Sequence, residues 1–290
     1  MDEKKLKNLI KDALAEDIGK IDLTTSFLVP QNRVARSGVT AKSDCVVAGL
    51  SVFKAVYNEL DEELRIKFNL REGGEAEAGK VICYVEGRAS SILKGERVAL
   101  NLLSTVSGIA TITKKYVDKI SSYKAEILDT RKTDPNMRFL EKYAVRMGGG
   151  KNHRMGLYDQ VLIKENHLTI LRELRGPHAP VIEEAVKAAK KKAQRNVLVE
   201  VEVTSVAEFE EALGAGADII MCDNMDPATI REAVKVRNAG GSKSKKVLIE
   251  VSGNITLQNI ETYAATGVDR ISIGAITHSS PSVDFSLTII

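Results

Sequence analysis

From residue 125 onward, six short apolar runs alternate with helix-like segments, and no other feature limits the fold of this chain so tightly. The runs cover 125–130, 161–164, 197–203, 218–223, 246–252 and 269–274. Near-continuous apolar strands need cover on both faces, which helices on either side of a parallel sheet supply. The segments between carry helix-start signals. Ser205 with Glu208 forms a capping box, and Asp226 precedes Pro227 as an N-cap before a first-turn proline. Thr256 opens a further expected helix, ended by Gly267. The expected class is therefore α/β with a parallel sheet. Six strands are too few for the eight-unit barrel, and the pattern alone leaves a smaller barrel and a doubly wound sheet both open.

Ahead of this region the periodicity differs. Residues 1–16 read as a helix with Leu6, Leu9, Ile10 and Leu14 on one face. The acidic, Thr-rich stretch from Asp17 to Thr25 is given a structural role. Residues 33–88 hold short runs (Val34 to Thr40, Cys45 to Ala48, Leu64 to Phe68, Lys80 to Val85) with turns at Gly49, Gly73-Gly74 and Gly79. They suggest a small sheet or sandwich. Its shape resembles a biotinyl or lipoyl carrier, but no lysine occupies a hairpin tip. Residues 90–122 return to helical spacing through Leu93, Val98, Leu102, Leu103, Val106, Ile109 and Ile112. Arg97 sits inside that apolar stretch, and pairing with Glu96 or another acid is the plain explanation. The expected domains are 1–112 and 113–290, with the last residues free to return to the N-terminal domain.

Composition removes several function classes. Lys and Arg number 42 against 39 Asp and Glu, a net charge of +3, and aromatics are 4% with no Trp. Neither an electrostatic nor a stacking case for nucleic acid exists. No apolar run reaches the ~18 residues of a membrane span, and the charged amphipathic N-terminus is unlike a signal peptide. Cys45, Cys83 and Cys222 form no C-x-x-C pattern. Buried free thiols in the cytoplasm are expected, without a disulfide or zinc site.

The polar residues cluster where the apolar runs end. The first run leads into Thr130, Arg131 and Lys132. Asp134 with Pro135 then resembles a helix start, with Phe139, Leu140, Tyr143, Ala144 and Met147 on one face and Gly148-Gly149-Gly150 as the stop. His153 and Arg154 follow in the Gly-rich connection, and the second run ends at Lys164. Cations gathered on one face call for an anion; the alternative is a solvated basic surface, since Asp134, Glu141 and Asp159 are interspersed. Glu200 and Glu202 project from the same side of the third run. Glu200 and Glu250 are expected to pair with cations inside. Glu202 and Asp223 lie nearer the rim, suited to Mg2+, directly or through water, or to ribose hydroxyls. Ser252, Gly253 and Asn254, and then Ile273, Gly274 and Ala275, offer small residues whose backbone N–H groups could meet a phosphate, helped by a helix starting near Thr256. A tight turn is the competing explanation for Gly253. His278 lies beyond the sixth run. The stretch 240–245 and His178 are expected at the surface.

The ordered series DTRKT, EKYAV, GGG-x-NHR and LIKENH, with ERVALN and SGIAT upstream, resembles the quinolinate phosphoribosyltransferase family, also called nicotinate-nucleotide pyrophosphorylase (carboxylating). The resemblance covers nearly the whole chain and is weakest in the N-terminal sheet. It implies an open six-stranded α/β barrel (type II phosphoribosyltransferase) with an N-terminal α+β sandwich domain. It implies that quinolinate and 5-phosphoribosyl-1-pyrophosphate give nicotinate mononucleotide, pyrophosphate and CO2, with Mg2+ as cofactor. Lys132, Lys164, Glu202 and Asp223 would be catalytic. Thr130, Arg131, Lys132, His153, Arg154 and Lys164 would contact substrate, with Ser252, Gly253, Asn254, Ile273, Gly274 and Ala275 at the 5-phosphate. Arg97 would be donated across a homodimer, or a higher even oligomer, into the neighbouring site. The departure is Asp134-Pro135-Asn136, where the family often has Thr or Leu and then Pro-Gly. Two alternatives stand: a molybdenum-transport-associated paralogue using another base, and a non-catalytic anion-binding protein. The rim acids Glu202 and Asp223 weigh against simple anion capture.

Overall fold

The computed structural model describes residues 2–176 and 179–290, so His178 lies outside the described residues. In chain order the elements are α1 (Glu3–Ile18), α2 (Leu23–Leu28), β1 (Val34–Ala41), β2 (Cys45–Val47), α3 (Leu50–Leu60), β3 (Arg65–Phe68), β4 (Gly74–Ala76), β5 (Val81–Arg88) and α4 (Ala89–Lys119). Then come β6 (Glu126–Leu128), α5 (Arg138–Met147), β7 (Val161–Ile163), α6 (Glu165–Arg175), α7 (Val181–Lys192), β8 (Val199–Val203) and α8 (Val206–Ala215). The remainder is β9 (Ile219–Asp223), α9 (Pro227–Ala239), β10 (Leu248–Ser252), α10 (Ile260–Ala264), β11 (Arg270–Ser272), α11 (Ala275–His278) and β12 (Phe285–Ile289).

These elements form two compact units, and the division differs from a single cut at 112/113. One unit comprises Met1–Lys114, Thr133–Gly149 and Ala275–Ile290; the other comprises Lys115–Lys132 and Gly150–Gly274. The nearest boundary, 114/115, lies within α4, one unbroken helix of 31 residues, and the difference lies in Thr133–Gly149 and Ala275–Ile290 joining the first unit.

In the first unit, β12-β1-β5-β3 form an antiparallel sheet, and β2-β4 pair separately. The chain's end therefore returns to the N-terminal sheet, with Val39 opposite Leu287. Asp2 caps α1, which buries Leu6, Ile10 and Leu14. Asp22 caps α2 by accepting the Thr25 N–H at 2.9 Å, a structural use of the acidic opening. Helix α3 is absent from the strand-only reading of 33–88. Its Leu50, Val52, Phe53, Val56 and Tyr57 are buried at the three- and four-residue spacing of a helix face. Helix α5 starts at Arg138 instead of Pro135, because Asn136 takes a left-handed φ of 65° and turns the chain first. Its buried positions include Glu141 and Lys142 besides Leu140, Ala144 and Val145. Gly148 ends it where a Cβ would lie 2.3 Å from the Ala110 carbonyl oxygen.

In the second unit all six strands are parallel, in the order β6-β11-β10-β9-β8-β7. A doubly wound sheet would place its first strand centrally, flanked by later ones on both sides. Here each strand from β7 to β11 adds beside its predecessor, and β6 pairs with β11. That circular order makes a barrel, left open between β6 and β7. The strands are buried on both faces, as at Ile219 to Cys222, and Ser205 and Asp226 cap α8 and α9 as expected. The stretch 240–245 is largely exposed loop running into a short 3-10 turn at Ser244–Lys246.

Candidate active site

The gap between β6 and β7 is where the charged segments meet. Lys151 donates its N–H to the Ile127 carbonyl at 2.7 Å and forms a parallel bridge with Leu128. This brings residues 152–154 alongside the end of β6. Asp129, fully buried, fixes them there: its carboxylate accepts the His153 N–H at 2.9 Å and the Asn152 amide at 2.5 Å. Hydrogen bonds to an ionised acceptor are the stronger kind, so DTRK and NHR are tied together despite the roughly 20 residues between them.

Around this junction the structure gathers most of the residues expected from sequence. The Arg154 guanidinium is buried, and burial, followed by the charge of Arg131, lowers its pKa. Glu200, Glu202 and Asp159 act on Arg154 in the opposite sense, so cations and acids are interleaved here. At the next strand end, Lys164 Nζ lies 2.5 Å from Glu202 Oε1. Asp223, at the end of β9, has a raised pKa, first from burial and then from the charge of Glu202; the charges of Lys164 and Lys132 act in the opposite sense. Lys132, Lys164, Glu202 and Asp223 therefore form one electrostatic group. Thr130 orders the strand end, its hydroxyl accepting the Lys132 N–H at 3.0 Å.

The rim carboxylates Glu202 and Asp223 offer oxygen ligands of the kind Mg2+ takes. Two carboxylates close enough to raise a pKa are relieved by a hard cation with oxygen ligands. A second cluster, His153 with Glu200 and Glu250, brings its potential ligand atoms within 4.8 Å of one another yet does not fit a metal. His153 Nδ1 accepts the Arg154 N–H at 2.7 Å, so in the neutral ring the proton is on Nε2. That nitrogen donates to Glu200 Oε2 at 3.1 Å and faces Glu250 Oε1 at 3.5 Å, which leaves it no lone pair for a metal. The same geometry turns His153 Nε2 toward Glu200 and Glu250. Glu200 and Glu250 themselves are fully buried. Burial raises each pKa to about 7, helped at Glu250 by the neighbouring Glu200 charge. Their nearest polar contacts are His153, Gln160 and Ser272; the charges of Arg270 and Arg154 act on Glu200, and those of His153 and Arg270 on Glu250, against the effect of burial.

The loop after β10 is a tight backbone turn. Gly253 has φ 97° and Asn254 φ 52°. A Cβ on Gly253 would lie 2.1 Å from Asn224 Oδ1, so only glycine fits. Asn224, with φ 54°, was not singled out from sequence; its Oδ1 accepts from Asn254 Nδ2 at 3.2 Å and its N–H donates to the Ser252 carbonyl. An Asn directly after an acid at a strand end was the available signal. The helix expected from Thr256 starts only at Ile260 and has five residues, so its dipole adds little here. The Ile273 N–H is spent on the Leu128 carbonyl at 2.9 Å and is not available to a phosphate. Gly274 follows it, and Ala275 begins α11, which ends at the exposed His278.

Arg97 lies on α4 in the other unit. It is exposed and forms no salt bridge among the described residues, so the expected pairing with Glu96 is not made. Val98, Leu100, Leu102 and Leu103 around it are buried within the chain itself. All three cysteines are free and buried, with thiol pKa values raised by burial to about 11 at Cys45 and about 12 at Cys83 and Cys222. Among the described residues no helix is long and apolar enough to cross a membrane.

An open six-stranded parallel barrel, with cations and a pair of acids at its strand ends, defines an α/β-barrel protein built to handle anionic substrates. Comparison with known proteins narrows this. Residues 22–107 match the N-terminal domain of quinolinate phosphoribosyl transferase and residues 109–288 match its C-terminal domain. The probable nicotinate-nucleotide pyrophosphorylase [carboxylating] of Bacillus subtilis (strain 168) is 39% identical, over 100% of this chain and 95% of the relative. The protein of that name from Methanocaldococcus jannaschii is 41% identical, over 97% and 96%. The structure of the nicotinate-nucleotide pyrophosphorylase from Francisella tularensis superposes with a TM-score of 0.90 at 38% identity, covering 100% of this chain and 98% of that one. The chain belongs to the quinolinate phosphoribosyl transferase family.

Proposed function

We propose that this protein transfers the phosphoribosyl group of 5-phosphoribosyl-1-pyrophosphate to quinolinate with decarboxylation, giving nicotinate mononucleotide, pyrophosphate and CO2 in NAD biosynthesis. The observation that carries it is the gathering of cations and acids at the barrel's strand ends. Arg131 and Arg154 lie close enough to act on each other, and Glu202, which acts on both Arg154 and Asp223, links them to a group of mixed sign with Lys164 and Lys132. A dianionic pyridine suits the two arginines, because guanidinium forks match carboxylates. A phosphorylated sugar with a cation suits the group of mixed sign. The relatives' names agree with this reading and do not favour the molybdenum-transport-associated alternative.

The pyridine nitrogen attacks the sugar C1 as the bond from C1 to pyrophosphate breaks. Glu202 and Asp223 face the positive charge that develops at C1 and hold the ribose. They would also hold Mg2+, which when bound neutralises the pyrophosphate leaving group. Lys164, paired with Glu202, keeps that carboxylate oriented and adds positive charge for the phosphates. The ribosylated nitrogen is cationic, so loss of the 2-carboxylate as CO2 leaves a carbanion stabilised by the adjacent charge, and that carbon then takes up a proton. No covalent nucleophile on the protein is needed, so positioning and preorganised charge carry the catalysis. The turn at Ser252, Gly253 and Asn254 is assigned to the 5-phosphate.

Arg97 is proposed to enter the site of a partner chain in a homodimer. Its exposure without an ion pair among the described residues supports this; a surplus of apolar surface on α4 does not, since the leucines beside it are covered. Three buried free thiols support a reducing, cytoplasmic setting. Product analysis with quinolinate and with nicotinate tests the reaction. Mononucleotide formed from quinolinate alone is expected, and turnover of nicotinate alone would overturn the substrate assignment.

A further inference from the structure

The residues below Arg154 close a ring of hydrogen bonds. Arg154 is held at both ends: its main-chain N–H donates to His153 Nδ1 at 2.7 Å, and its guanidinium Nη1 donates to the main-chain carbonyl of Gln160 at 3.1 Å. His153 and Gln160 are anchored in turn on a single atom. His153 Nε2 donates to Glu200 Oε2 at 3.1 Å, and Gln160 Nε2 donates to the same oxygen at 2.5 Å. Glu200 stands in β8, a strand buried at Val199, Val201 and Val203, so the anchor is rigid. Glu250 of β10 backs the ring, close to His153 Nε2 and itself taking the Ser272 hydroxyl.

We propose that Glu200 is a positioning residue, acting through His153 and Gln160 to set the place and direction of the Arg154 guanidinium toward the substrate carboxylate. The inference rests on the assignment of Arg154 to the quinolinate half of the site. Desolvating a guanidinium is costly and its long side chain has many rotamers. Glu200 fixes Gln160, whose main-chain carbonyl takes the guanidinium, and through His153 it fixes the Arg154 main chain, so both are set before substrate arrives, which is preorganisation of a binding cation. Glu200 also lies two residues before the rim acid Glu202 on the same strand, so one strand carries the support for both halves of the site.

The clamp predicts a split between the two substrates. Gln160 is only half-buried and lines a cavity of about 310 Å³ with His153, Arg154 and Arg270, so Gln160→Leu cuts one arm where there is room for the change. It should raise KM for quinolinate by about tenfold or more, with KM for 5-phosphoribosyl-1-pyrophosphate within about twofold of wild type. Glu200→Leu should do the same more strongly. Glu200→Gln, which keeps an amide oxygen for the His153 Nε2–H, should restore much of the quinolinate affinity. Steady-state kinetics on variants checked by circular dichroism and thermal melting read this directly. If folded Gln160→Leu kept the wild-type quinolinate KM, or if both KM values and kcat moved together in proportion to lost stability, the positioning role would be overturned. Wild-type protein inactive on quinolinate would instead refute the proposed reaction, so the two failures are distinguishable.

Discussion

Replacing Glu250 by Gln should flatten the protein's pH–stability profile. The Glu250 carboxyl is fully buried, and its pKa is raised from 4.5 to about 7, first by burial and then by Glu200. A folded pKa above the unfolded one means that the native state binds more protons between those values, so stability falls as pH rises through that window. For one such group, the loss between pH 5 and pH 8 is on the order of 2–3 kcal/mol. Wild type holds two, because Glu200 is raised to about 7 as well; the variant keeps one. The amide oxygen of the substituted side chain still accepts from Ser272 and His153, so the polar contacts persist while the titration is removed. Urea unfolding at pH 5 and pH 8 should show a stability loss in Glu250→Gln smaller than that of wild type, by on the order of 2–3 kcal/mol. Equal losses in the two proteins would refute the view that this acid is driven toward its neutral form by burial.

Three further outcomes follow from the site. Arg131→Ala removes one of two mutually repelling guanidiniums assigned to the dicarboxylate and should abolish most quinolinate binding, a cost of ~2–5 kcal/mol for a desolvated charge partner; calorimetry showing unchanged affinity would reject the assignment. Asp223→Asn should raise the requirement for Mg2+ and 5-phosphoribosyl-1-pyrophosphate and leave quinolinate binding nearly intact, whereas lost quinolinate binding with normal metal dependence would reverse the roles. Arg97→Ala and Lys164→Ala should each be nearly inactive alone. When the two are co-refolded, a mixed dimer has one site with both defects and one with neither, so activity should recover to about one quarter of wild type if chains mix randomly and sites act independently. Verified heterodimers without recovery would place Arg97 in its own chain's site.

How much of this was legible in the sequence depends on what kind of contact set each feature. The six barrel strands announce themselves, because a run buried on both faces, such as Ile219 to Cys222, is apolar throughout. Arg131, Lys132, Lys164, Glu202 and Asp223 could be placed at one rim because parallel βα units bring all strand ends to one side. Helix α3 is masked in the sequence because its apolar positions follow Gly49 among short strand-like runs. The start of α5 was misjudged because Pro135 looks like a first-turn residue until the left-handed turn at Asn136 is seen. His153 could be singled out from the NHR motif, but the hydrogen bonds that orient it could not be read. Its direction depends on which ring nitrogen takes the Arg154 N–H, and on Glu200 and Gln160 meeting beneath it from sequence positions 40 residues apart.

The central claim is that this chain couples ribosylation of quinolinate to loss of its 2-carboxylate. Quinolinate labelled at that carboxylate, incubated with protein, Mg2+ and 5-phosphoribosyl-1-pyrophosphate, should release labelled CO2, pyrophosphate and nicotinate mononucleotide in equal amounts. Without the phosphoribosyl donor no label should be released. Pyrophosphate formed with the label retained in the nucleotide, or labelled CO2 released without the donor, would contradict the account.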